Sequence, residues 1–87
     1  MAKLSPRAAR IKAAAVVAYG PRGLTKLAKA ADISKQMMSF ITTGAKPVSD
    51  DVYFKVAEAL LKEAARMHKS VMKIEEMAGK MFAELEE

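Results

Sequence analysis

The side chains able to do chemistry are concentrated between Lys35 and Lys46, and that chemistry is hydrogen-bond donation to base edges and to a polyanion. Lys35, Gln36 and Ser39 lie close together on a segment with helical spacing. Lysine donates to guanine O6 and N7, and glutamine pairs bidentately with adenine N6 and N7. Met37 beside them offers an apolar contact to a thymine methyl. Thr42, Thr43 and Lys46 follow at the end of the segment. Their donors suit phosphates, contacts that orient a protein on a duplex without specifying sequence. Arg22, Thr25 and Lys26 offer the same donors upstream, with Lys29, Lys3 and Arg7 as further candidates. No nucleophile–base pair, phosphate-cradling glycine loop or pair of catalytic carboxylates emerges, so the sequence predicts a binding protein and not an enzyme. With no cysteine and a single histidine, it offers neither a disulfide framework nor a clustered zinc site. No cofactor is expected.

Two short helices joined by a tight turn must position these donors. The stretch Leu24–Gly44 supplies them. The first predicted helix is Leu24–Ala31, with Leu24, Leu27, Ala28 and Ala31 on its apolar face; small Ala28 would let the helices approach. Asp32-Ile33 forms the turn, and Ile33 plugs the angle between the helices. Ser34 is an N-cap type residue whose hydroxyl accepts a backbone N–H. Met38 and Ile41 point inward, and Gly44 stops the second helix by taking the left-handed conformation. Phe40 is expected to pack against a later helix.

Leu27-Ala28, Asp32-Ile33-Ser34, Met38, Ile41 and Gly44, followed by Gly44-Ala45-Lys46-Pro47 and Val56-Ala57-Glu58-Ala59-Leu60, resemble the helix-turn-helix of the lambda-repressor/Cro-like family. The resemblance covers roughly residues 8 to 61. It implies that the second helix enters a DNA major groove with base-reading side chains at Lys35, Gln36 and Ser39. The sequence departs from the family pattern at Asp32, usually glycine, and at Leu24, often a polar residue that contacts phosphate.

Upstream, Ser5-Pro6 starts a helix with a cap and a proline at its first position. It runs to about Tyr19, with Ile11, Ala15 and Ala18 on one face, and Gly20-Pro21-Arg22-Gly23 ends it. Downstream, Ser49 or Asp50 caps a helix with no proline as far as Glu87. Along it Ala57, Leu60, Ala64, Met67, Val71, Ile74, Ala78, Met81 and Leu85 keep a strict 3-4 spacing, a four-heptad apolar seam. Ala57 and Leu60, with Val56 and Leu61, are expected to close the core of the head. The seam from Ala64, flanked by Met77 and Phe82, is expected to meet a second copy. The expected dimer interface is Ala64, Met67, Val71, Ile74, Ala78, Met81, Phe82 and Leu85. Parallel and antiparallel pairing, a tetramer, and a break near His68-Lys69-Ser70 that folds the last helix back all remain open.

Charge divides the same way. Residues 1–49 hold nine Lys/Arg against the single acid Asp32, whereas residues 50–87 hold six against nine acids. The basic half is expected to meet a polyanion. The longest apolar run, Ala13–Tyr19, is seven residues, so no membrane partner is expected. Lys3, Arg7, Arg10 and Lys12 interrupt any secretory leader, and a cytoplasmic location is expected. The sequence therefore predicts an all-α protein: a four- or five-helix Cro/repressor-like head over residues 1–61 and a helical dimerisation extension over 62–87. The function it predicts is a homodimeric prokaryotic or phage transcriptional regulator, a repressor by preference, on two-fold symmetric double-stranded DNA, with recognition helices about one DNA turn, near 34 Å, apart. Its alternatives are an interaction module, such as an antitoxin, anti-activator or adaptor, that binds another protein through the C-terminal helix, and an architectural protein with little sequence preference.

Overall fold

The computed structural model describes residues 4–86; Lys3, an expected phosphate contact, lies outside the described residues. Helix α1 (Pro6–Tyr19) begins where the Ser5 hydroxyl accepts the Ala8 backbone N–H at 3.2 Å. Ala8, Ile11 and Ala15, spaced three and four apart, are its buried stripe. Helix α2 (Gly23–Ala30) starts one residue earlier than expected, at a position where the packing requires glycine. A Cβ on Gly23 would lie 2.1 Å from the Ala15 carbonyl oxygen, so α1 and α2 meet backbone to backbone there. Ala28 is buried as expected, and Gly23 is a second position where a small residue lets helices approach.

The turn into α3 (Lys35–Thr42) is built as its residue types imply. Asp32 takes φ +58°, the left-handed conformation that Asp tolerates better than most residues. The Ile33 N–H donates to the Ala28 carbonyl at 2.8 Å, and the Ile33 side chain packs against the core. Ser34 caps α3 by accepting the Met37 N–H at 3.0 Å, and Gly44 closes its far end at φ +84°.

Helix α4 (Asp50–Leu85) is 36 residues long, capped by the Ser49 hydroxyl on the Val52 N–H, with Asp50 and Asp51 on the favourable end of its dipole. It continues unbroken through His68-Lys69-Ser70, so the fold-back is not formed. At about 1.5 Å per residue it accounts for most of the 62 Å long axis of the molecule. Among the described residues the protein is all-α, with four helices.

Ile11, Leu27 and Ile41 are the large, fully buried side chains, and Met38, Val48, Val56 and Ala59 complete the core. Of the four α4 residues expected to close the head, Val56 is buried and Leu60 packs half-buried against the core, whereas Ala57 and Leu61 face solvent and Ala59 takes their place. Val52, Val56 and Ala59 form one stripe. The seam through Ala57, Leu60 and Ala64 lies roughly a quarter-turn round the helix at 100° per residue. Ala57 and most of the seam beyond Leu60 are therefore left outside the core.

Candidate nucleic-acid interface

Met38 and Ile41, buried at 3% and 0% exposure, hold α3 against the head and set which face it turns outward. That face begins with Lys35, Gln36 and Ser39, all exposed on its first two turns. Lys35 and Ser39 share the rim of a shallow cleft of about 250 Å³ between α2 and α3, with Leu24, Thr25 and Thr42 along the same rim. Gln36 stands clear of the cleft. Met37 is half-buried and packs against the core, so only part of it faces outward. Its position one turn before Ile41 draws it inward.

At the C-terminal end of α3 the expected phosphate donors are partly engaged. The Thr42 hydroxyl donates to the Met38 carbonyl at 2.9 Å, and the Thr43 hydroxyl to the Ser39 carbonyl at 2.8 Å. A hydroxyl has one proton, so either must rotate off its helix before it can donate to a phosphate. Lys46 is exposed, with its ammonium 4.9 Å from the centre of the Phe40 ring. Phe40 is half-buried and outside the core cluster. It therefore supports Lys46 instead of packing on the long helix as expected.

Arg22, Thr25 and Lys26 are exposed around the start of α2. Arg22 occupies the N-cap position without a side-chain cap bond, and no acid lies in the first turn, so the positive end of that helix is unopposed. Arg7, a candidate phosphate contact, is committed elsewhere. Its Nη1 lies 2.7 Å from Asp50 Oδ1 and donates to the Val48 carbonyl at 3.4 Å, while the guanidinium stacks 4.8 Å from the Tyr53 ring centre. It ties α1 to the start of α4 across 43 residues of sequence, and nothing local to Arg7 signals that.

Sequence reasoning also missed a recess of about 490 Å³ where Lys26 and Lys29 of α2 face Tyr19, Glu63 and Arg66. Burial pushes the Tyr19 phenol up from its ordinary value, with the Glu63 carboxylate adding and Arg66 opposing. The ion pair with Glu63 holds the Arg66 guanidinium above its own.

No family model, curated protein or solved structure matches this chain. The chemistry of the site rests on its own residues. Among the described residues, no group of three His, Cys, Asp or Glu is placed to hold a metal ion, and no helix is long and apolar enough to cross a membrane.

The expected dimer residues lie along the bare side of α4. Val71, Ile74, Met81, Phe82 and Leu85 are exposed, Leu85 at 82%; Ala64 is exposed, and Met67 and Ala78 are half-buried.

Proposed function

We propose that this protein is a helix-turn-helix transcriptional regulator, a repressor by preference, that binds a two-fold symmetric duplex site as a homodimer. The observation that carries the reading is the outward face of α3, where Lys35, Gln36 and Ser39 are exposed while Met38 and Ile41 fasten the opposite face. Helices inserted in a major groove read bases with their N-terminal residues. Around that face the donors Arg22, Thr25, Lys26 and Lys46 are disposed to grip phosphates, and the nine basic residues of the first 49 face only one acid. The apolar seam of α4 would hold two such heads together.

Mobility shifts with the full chain test the assignment of roles. Gln36→Ala should weaken a preferred site by about 1–3 kcal/mol, roughly five- to a hundred-and-fifty-fold, while leaving random duplex nearly unchanged. Lys46→Ala should weaken both alike and lower the salt slope by about one. Equal losses on every sequence for Gln36→Ala would remove the base-reading role.

The bare stripe of α4 favours a second reading, in which the fold serves as scaffold and α4 binds a different protein. A stable dimer of the pure protein on sizing supports the regulator; a monomer supports the adaptor.

A further inference from the structure

Three features of α4 bear on how it would meet another copy, and they agree on a direction. The first is the size pattern of the seam. One set of positions carries Ala64, Val71 and Ala78; the alternate set carries Met67, Ile74 and Met81. In a parallel pair like positions meet, giving thin Ala–Ala layers between thick Met–Met layers. In an antiparallel pair the smaller set faces the larger between residues 64 and 81, leaving Leu60 and Leu85 as the one layer of two large side chains, which fills the space more evenly.

The second is charge. Residues 62–73 hold Lys62, Arg66, Lys69 and Lys73 against Glu63, whereas residues 75–87 hold five glutamates against Lys80. Parallel pairing sets basic against basic and acidic against acidic. Antiparallel pairing sets each acidic end against a basic middle, well within the roughly 10 Å reach of charges at ordinary salt.

The third is a groove. Where the seam reaches the head, Arg10 and Ala14 of α1 and Tyr53, Ala57 and Leu60 of α4 border an almost wholly apolar groove of about 180 Å³. In line with it, at the far end of the same seam, is the exposed Leu85, flanked by Phe82 and followed by residues of charge opposite to Arg10 on the groove's rim.

We propose that α4 pairs antiparallel with α4 of a second copy, its acidic end lying on the partner's basic middle and Leu85 entering the partner's α1–α4 groove. The proposal rests on reading the α4 seam as a self-association surface and adds its direction and register. Ala64 lies level with the partner's Met81, Met67 with the partner's Ala78, Val71 with the partner's Ile74, and Leu60 with the partner's Leu85. The same register sets Leu61 beside the partner's Phe82, covering apolar flanks otherwise left in water, and His68 beside the partner's Glu75. The two-fold axis passes between residues 72 and 73. Val56, where each head is fastened, is then about 25 Å from the axis at 1.5 Å per residue. The heads are anchored about 50 Å apart, so their half-sites are separated by more than one turn of DNA.

The chain has no cysteine, so introduced thiols report contacts directly. Ala64→Cys and Met81→Cys variants of the full chain are oxidised separately and after mixing under exchange. The mixture should form the disulfide-linked dimer, and neither variant alone should, because identical thiols would be about 25 Å apart in this register. An Ala64→Cys variant that links to itself overturns the antiparallel direction while leaving self-association intact. Salt gives a second readout on the unaltered chain: raising it from low to physiological strength should loosen an antiparallel dimer, and a tightened dimer overturns the proposal. A chain that sediments as a monomer at all concentrations overturns the pairing itself. Anisotropy titration with labelled duplex reports separately on whether the head binds DNA.

Discussion

Gly23 shows how much can rest on a missing side chain. Any Cβ there would press into the Ala15 carbonyl, and that obstacle is backbone, not a movable side chain. Gly23→Ala should therefore cost about 1–3 kcal/mol by overpacking, read as a lower urea midpoint. Asp32 is the milder case. Its left-handed backbone suits glycine, so Asp32→Gly should change stability by less than about 1 kcal/mol, whereas Asp32→Val should cost about 1–2 kcal/mol in thermal unfolding. The turn at Asp32 was legible because residue type and local conformation coincide there. The contact at Gly23 was not, because it depends on where α1 crosses α2. Arg7 was illegible for the same reason: its partners Val48, Asp50 and Tyr53 reach it only through the tertiary fold. Tyr19 adds a pH dependence. Its phenol is raised, so the native state holds that proton more tightly than the unfolded chain. Stability should fall as pH rises past about 10, and the fall should be smaller in Tyr19→Phe, checked by urea midpoints across the alkaline range.

At the scale of elements, caps and periodicity did most of the work. Ser5, Ser34 and Ser49 each accept the N–H that their position at a helix start implies, and Gly44 ends α3 with the positive φ that glycine accommodates. The seam of α4 was also legible in spacing, and Val56 and Leu60 were legible as residues the head covers, but not that Ala59 joins them in place of Ala57 and Leu61. A 3-4 repeat finds the apolar seam. The head uses Val52, Val56 and Ala59 a quarter-turn away and shares Leu60 with the seam, an overlap that makes the second stripe inconspicuous. Because Ile74 lies outside the core that holds the head, Ile74→Lys should leave helicity and the head's unfolding cooperativity intact. It should also weaken self-association by roughly a hundredfold or more, from the loss of about 1.5–3 kcal/mol of side-chain burial in each copy. Sedimentation beside circular dichroism separates the two effects. Dissociation accompanied by loss of the head's transition would mean that the seam belongs to the core.

For the molecule as a whole, a basic head is joined by one unbroken helix to an acidic end, along a body of 62 × 24 × 19 Å. The α3 face and the exposed seam occupy different parts of it, so a ligand on one leaves the other open. The most direct measurement on the proposed function is selection of bound sequences from random duplex DNA by the full chain at low ionic strength. A symmetric pair of half-sites should be enriched, with affinity falling steeply as salt rises through the release of counterions from phosphates. A pool that emerges with its composition unchanged, or a protein that retains no duplex even at low salt, would contradict it.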